Sequence, residues 1–281
     1  MAHIVVVGAG LGGLPTAYEL RHLLPHTHQI TVISAVPDFT FIPSLPWVAM
    51  GLKSLASIQV PLEPQLTSRN IGWINGKVDQ LDPDQKRVWV SDRAIAYDYL
   101  VIATGAELAL DTVPGLGPDA GYTQSVCNPH HAQIAKVAWQ QFLQNPGALV
   151  VGAVPGASCF GPAYEFALLA DQQLRKLGLR DRVPITFVTP EPYAGHLGIG
   201  GMSNSAQLVM QLMAEREVEV IENTVIASIE PDQIHLADGR TLPFAFSMLL
   251  PPFRGPRFLR DISGLTDQQG FMPILPTYQH P

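Results

Sequence analysis

The chain has 281 residues, of which 47% are apolar and 15% charged, and its formal net charge is −7. That is enough for two domains with cores of their own and too apolar for disorder. The acidic balance and the lack of a useful basic run exclude a nucleic-acid partner, and Gly and Pro break the apolar runs well before the about 18 residues a membrane span needs.

The first predicted strand begins at His3, so no secretory leader is expected ahead of it. Its run Ile4-Val5-Val6-Val7 enters Gly8-Ala9-Gly10-Leu11-Gly12-Gly13, a helix follows over 14–24, and a second β-rich run covers 29–34. Strand, glycine turn, helix and strand at this spacing form a dinucleotide-binding βαβ unit. Gly8 allows the tight turn, Gly10 lets a pyrophosphate approach the backbone, and Gly13 lets the helix pack on the strand. The helix N-terminus offers free N–H groups and partial positive charge to the phosphates. The second strand ends in Ser34 where an acidic residue usually binds the ribose; a hydroxyl can still bond a ribose, but the preference for NAD is weakened.

Residues 35–47 are aromatic, proline-fixed and too irregular for a helix, and are expected as a loop with buried anchors that is able to wall a flat ring. Strands are expected over 71–79, 86–90 and 97–103. The last ends in Ala103-Thr104-Gly105, as a buried strand does beneath the flavin nucleotide in flavoproteins with two dinucleotide domains. Combined with the first glycine turn, it favours FAD over NAD.

The proline- and glycine-rich 113–118 is a candidate domain boundary, after which a helix is expected over 130–143 and a buried strand over 148–152. The turn after it runs Gly152-Ala153-Val154-Pro155-Gly156-Ala157-Ser158-Cys159 and leads into a helix ending near 176, then a strand over 183–188. This second βαβ unit repeats the first. Pro155 and Cys159 occupy what a nicotinamide site would line with glycine. A helix over 205–216, strands near 218–220, 224–229 and 234–236, a hairpin turn at 237–240 and a closing segment over 241–250 follow. Residues 270–281 are expected to start another strand and turn.

The two cysteines, Cys127 and Cys159, are too few for a disulfide scaffold, so any importance they have is chemical. Cys159 sits at or just before a helix start, where a thiolate is favoured. Cys127 precedes His131 by four residues, a spacing that fits either a thiol–imidazole pair or a helix start capped by Asn128. Glu165 and His196 add acid–base capacity. Paired metal-ligand spacings are missing, so no metal is expected.

The sequence resembles the bacterial type of sulfide:quinone oxidoreductase over its whole length. The carrying motifs are Gly8 to Gly10 with Gly13, Ile33-Ser34-Ala35, Phe41-Ile42-Pro43-Ser44 with Pro46-Trp47, Ala103-Thr104-Gly105, Ser125-Val126-Cys127, Gly156-Ala157-Ser158-Cys159-Phe160-Gly161-Pro162-Ala163-Tyr164-Glu165, and Glu191-Pro192-Tyr193 with Gly195-His196-Leu197-Gly198-Ile199. The resemblance implies an α/β flavoprotein of the disulfide-reductase type with two Rossmann-like domains: 1–112 for FAD, 113–260 with the redox cysteine, and 261–281 returning to the first. It implies that sulfide is oxidised to polysulfide or sulfur and that the electrons pass through FAD to a membrane quinone.

By match, Cys159 is one of two essential cysteines, Cys127 an auxiliary one, and Glu165, His131 and His196 move protons. FAD contacts are expected from Gly8, Gly10, Leu11, Gly12, Gly13, Ser34, Ala35, Pro43, Ser44, Val78, Ala103, Thr104 and Gly105. The resemblance further implies a peripheral protein of a bacterial inner membrane, which admits a homo-oligomer. The family's second essential cysteine and its membrane-dipping helices lie beyond position 281, so the chain is expected to be a truncated form that binds FAD weakly and lacks full turnover. A flavocytochrome c flavin subunit is disfavoured, since no cysteine lies between Ser34 and Trp47 to attach a flavin. An NADH:quinone dehydrogenase is disfavoured by the Pro155 to Cys159 loop. An inactive flavin-binding remnant is the third alternative.

Overall fold

The β-branched run Ile4 to Val7 is buried on both faces, as a central parallel strand requires. Strand His3–Val7 pairs in parallel with Gln29–Ser34 on one side and Tyr99–Ile102 on the other, and Gly72–Asn75 lies outside Gln29–Ser34. The computed structural model describes residues 1–281 and divides into two units. The first comprises Met1–Phe41, Ile58–Glu107 and Arg254–Pro281; the second comprises Ile42–Ser57 and Leu108–Phe253.

In the first unit, helix Gly13–Leu23 and helix Leu62–Thr67 cover one sheet face through Ala17, Leu62 and Leu66. The other face packs Val5, Val7 and Ile33 against an antiparallel ribbon, Val78–Asp82, Arg87–Val90 and Arg93–Ala96, through Val78, Leu81, Val88 and Ile95. Leu259 completes that layer.

The second unit repeats the strand order. Its parallel sheet runs Val218–Ile221, Ile185–Val188, Leu149–Ala153, Phe246–Leu250. An antiparallel ribbon of Ile226–Ile229, Gln233–Leu236 and Thr241–Pro243 again accompanies it. Helix Gly161–Lys176 buries Ala163, Phe166, Ala167, Ala170 and Leu174, and helix Pro129–Gln144 buries Ala132, Ala135, Trp139 and Phe142. The expected α/β architecture with two Rossmann-like domains is therefore the observed one.

Several expectations are corrected. The 71–79 strand is two strands in different sheets, because the chain turns at Gly76, where a Cβ would lie 2.3 Å from Val90 Cγ1. The 241–250 segment likewise splits between the ribbon and the parallel sheet. Residues Leu45–Ala49 form a short helix, with Pro46 in the first turn, where its missing N–H costs nothing. Residues 270–281 form turns without a strand.

The unit boundaries fall at 107/108 and 253/254, and 42–57 belongs to the second unit. Val113 and Leu116 are buried in the second unit's core, so the 113–118 segment is part of that core. Glu107 accepts the Arg257 N–H at 3.0 Å and pairs with Arg260 within the first unit.

Candidate active site

Two loops carry the predicted chemistry, one at the same end of each parallel sheet. In the first unit, Gly8 has φ +101°, and a Cβ there would lie 2.3 Å from the Ala103 carbonyl oxygen. A Cβ on Gly13 would lie 1.9 Å from the Gly8 carbonyl oxygen and 3.2 Å from Ala103 Cβ. The glycine turn and the Ala103-Thr104-Gly105 strand end are thus one interlocked structure.

Nothing lies within 4 Å of a Cβ built on Gly10 or Gly105. The helical ladder begins at Leu14, whose N–H reaches the Gly10 carbonyl at 3.1 Å, so the N–H groups of Leu11, Gly12 and Gly13 precede it. Bare backbone, orphan donors and a helix dipole suit a pyrophosphate, and the residues present fit a dinucleotide.

Ser34 closes a local turn at the end of its strand. Its hydroxyl donates to the Val36 carbonyl at 3.0 Å and is buried, because a short serine side chain reaches its own backbone first. Ala35 is exposed beside it. The Val78 side chain belongs to the first core, leaving only its main chain for a ligand. Pro43 and Ser44 sit in a 3-10 turn, Ile42–Ser44, of the second unit.

In the second unit, Cys159 is exposed in the loop between strand Leu149–Ala153 and helix Gly161–Lys176. The loop opens with a turn in which the Ala157 N–H reaches the Val154 carbonyl at 3.2 Å and Gly156 has φ +82°. Pro at the second position and a left-handed Gly at the third are the pattern of a type II turn. Cys127 is half-buried just ahead of helix Pro129–Gln144. Burial pushes its thiol pKa up, a hydrogen bond with the Ser125 hydroxyl pulls it down, and the charge of Cys159 pushes it up again. The two free thiols therefore stand within electrostatic reach of each other.

His196 lies in a turn that abuts the cysteine loop: a Cβ on Gly198 would lie 3.1 Å from the Ser158 carbonyl oxygen and 3.3 Å from the Phe160 ring. Its imidazole meets Tyr193 edge-on at 5.3 Å. Glu165 accepts the Trp47 indole N–H at 2.7 Å.

His131 is buried, its backbone N–H caps onto Asn128 Oδ1 at 2.8 Å, and its ring Nε2 lies 3.0 Å from Asp119 Oδ2. The Cys127 to His131 spacing is thus realised as a capped helix start, with the imidazole committed to Asp119. The hydrogen bond from His131 holds the Asp119 carboxyl below the usual range. The structure sets the His196 turn against the Cys159 loop and Cys127 within electrostatic reach of Cys159, while Asp119 and Trp47, to which the sequence assigned no role, hold His131 and Glu165.

Two Rossmann-type units, one with an open glycine turn and one with a thiol loop, define an oxidoreductase of the FAD/NAD-binding flavoprotein fold. The pyridine nucleotide-disulphide oxidoreductase family model matches residues 2–250, and the chain belongs to that family. It is 46% identical over 259 residues to the sulfide-quinone reductase of Aquifex aeolicus (strain VF5), covering 90% of this chain and 59% of that protein.

The X-ray structure of the sulfide:quinone oxidoreductase from the same hyperthermophilic bacterium matches with a TM-score of 0.95 at 41% identity, covering 100% of this chain and 66% of that one. The NDH2 structure from Plasmodium falciparum in complex with NADH shares the fold, with a TM-score of 0.76 at 17% identity. The chain thus spans about three fifths of the length of its curated Aquifex relative. The family and this relative imply FAD as the cofactor. No helix is long and apolar enough to cross a membrane.

Proposed function

We propose that this chain is the flavin- and thiol-bearing part of a sulfide:quinone oxidoreductase, oxidising sulfide to polysulfide or sulfur and passing the electrons to a membrane quinone. The carrying observation is the free thiol of Cys159, exposed in a loop that a nicotinamide site would line with glycine, with the free thiol of Cys127, ahead of helix Pro129–Gln144, within electrostatic reach. In the balanced reaction, hydrosulfide loses two electrons and a proton to become sulfane sulfur. Quinone gains the two electrons and two protons.

Bound FAD would supply two-electron redox chemistry between the sulfur and the quinone. Gly8, Gly10, Leu11, Gly12 and Gly13 would hold its pyrophosphate, with Ala103, Thr104 and Gly105 beneath its nucleotide; Ser34, Ala35, Pro43, Ser44 and Val78 complete the proposed set. Cys159, exposed, is the thiol that takes up sulfur, since the thiolate is the sulfur nucleophile. Cys127 stands by as the auxiliary thiol. Glu165, held by Trp47, and His196, in the adjoining turn, are placed to take the hydrosulfide proton. His131 joins them as a proton carrier whose orientation Asp119 sets. Quinone is a membrane molecule, so the reading puts the protein on the surface of a bacterial inner membrane.

The test is anaerobic addition of sulfide to the FAD-loaded, full-length protein while flavin absorbance is followed. Bleaching by sulfide that is lost in Cys159→Ser supports the proposal. Bleaching by NADH with none by sulfide replaces it with an NADH:quinone dehydrogenase.

A further inference from the structure

We infer that Glu191 is a positioning residue whose carboxylate fixes the turn carrying His196 against the loop carrying Cys159. The inference rests on the proposed function only in taking that pair as the place where sulfur chemistry runs.

Glu191 follows strand Ile185–Val188 and is 2% exposed. Its partners are neutral donors. Oε2 accepts the Tyr164 hydroxyl and the Thr189 hydroxyl, each at 2.7 Å, and Oε1 accepts the Leu197 N–H at 2.5 Å. Tyr164 Oη in turn accepts the Gly195 N–H at 2.8 Å. Burial, and then the bond to Glu191, push the Tyr164 pKa up, so the phenol stays protonated and keeps donating. The carboxylate thus grips the residues on both sides of His196, one directly and one through Tyr164.

The turn needs such a grip. Leu197 has φ +58°, a left-handed conformation that leucine rarely adopts, between Gly195 at +92° and Gly198 at +74°. In this conformation the Leu197 N–H meets Glu191 Oε1, and the hydrogen bond offsets the strain. The His196 carbonyl accepts the Gly201 N–H at 2.7 Å, and Ala194 donates to Glu222 Oε2 at 2.8 Å, which closes the turn from both ends.

The same carboxylate reaches the cysteine side. Tyr164 stands in the first turns of helix Gly161–Lys176, five residues after Cys159, and Gly198 abuts Ser158. One buried side chain therefore sets the separation of two loops. Burying a carboxylate without a cation is costly, and closing a turn does not by itself require one; what these bonds add is the fixed placement of His196.

The experiment uses full-length, FAD-loaded protein with Glu191→Gln, Tyr164→Phe, and Glu191→Gln combined with Leu197→Gly. Amide hydrogen exchange at Gly195 and Leu197, the NMR resonances of the His196 ring, thermal unfolding, and kcat and KM for sulfide are measured. Tyr164→Phe removes the acceptor of the Gly195 N–H, so exchange there should quicken about tenfold, the effect of one lost hydrogen bond, and Glu191→Gln, a weaker acceptor, should quicken exchange at Leu197. The His196 ring resonances should move, and kcat should fall while KM holds. Leu197→Gly should recover part of kcat, because glycine adopts positive φ freely.

Unchanged exchange and unchanged His196 ring resonances in a folded Glu191→Gln protein overturn the inference. If that variant does not fold, Tyr164→Phe decides by the same two readouts. A parent protein that shows no sulfide oxidation defeats the proposed function but leaves both readouts able to decide this one.

Discussion

Asp171 is fully buried on helix Gly161–Lys176 and binds three arginines. Arg180 Nε lies 2.8 Å from Oδ1, Arg175 Nε 2.9 Å from Oδ1, and Arg216 Nη1 3.1 Å from Oδ2. Arg175 and Arg216 are about two fifths exposed and hydrate readily when released, but the Arg180 side chain is only 9% exposed. Asp171→Ala therefore orphans one buried guanidinium. Removing one partner of a buried pair costs 3–5 kcal/mol.

Arg180 keeps three carbonyl acceptors, Val183 at 2.7 Å, Arg216 at 2.7 Å and Glu217 at 2.8 Å, which places the loss at the low end. We expect about 3 kcal/mol, or a fall in melting temperature of roughly 6–12 °C for a unit of this size. Thermal and urea unfolding followed by circular dichroism measure it. A double change of Asp171 and Arg180 to leucine should cost less than the two single changes added, because the second removes the charge that the first orphans. High salt should leave the difference nearly intact, as screening acts weakly on buried pairs. An Asp171→Ala loss below about 1 kcal/mol, or strict additivity, refutes this reasoning.

Gly10→Ala should leave the fold intact, since its Cβ meets nothing, yet weaken FAD binding about tenfold by blocking backbone approach. Gly13→Ala should lose FAD through disruption of the turn, and flavin titration followed by fluorescence distinguishes the two. Cys127 should alkylate more slowly than exposed Cys159 at neutral pH, its rate rising only above the ordinary thiol range, because burial raises its pKa. Ser125→Ala should slow it further and Cys159→Ser should speed it, both read by mass spectrometry. Asp119 has a lowered pKa, so its contribution to stability is present above the unfolded carboxyl range and fades as pH falls through the folded value. Asp119→Asn should flatten that acid limb in pH-dependent melting curves.

The parallel sheets were legible because their strands are unbroken apolar runs such as Ile4 to Val7 and Leu149 to Val151, with glycine turns marking their ends. Arg93–Ala96 was not, because only Ile95 of its four residues is buried and the alternation is too short to see. That 42–57 belongs to the second unit depends on Leu45, Val48 and Ala49 burying against partners far away in sequence. Both thiols stood out, being the chain's only two cysteines. Asp119 did not, since nothing local marks a carboxylate twelve residues from its histidine. Glu191 was visible within a motif but without a role, because its grip on Leu197 depends on a left-handed backbone that no leucine announces. The local turn at Ser34 was within reach, as serine commonly bonds the backbone two residues on.

The two units share a strand order, 3-2-1-4, and part company at one loop. In the first, strand one runs directly into Gly8, whose positive φ and contact with Ala103 turn the chain so that bare N–H groups lead into the helix. A ligand there meets backbone. In the second, the left-handed glycine, Gly156, comes three residues after the strand instead of one, and Ser158, Cys159 and Phe160 precede the helix where the first unit has Gly10, Leu11 and Gly12. Those three positions carry side chains where Gly10 leaves bare backbone, and the Cys159 thiol there is exposed and next to a helix N-terminus. Under the proposed function one architecture would thus serve two chemistries, the exchange needing only side chains where the first copy has none.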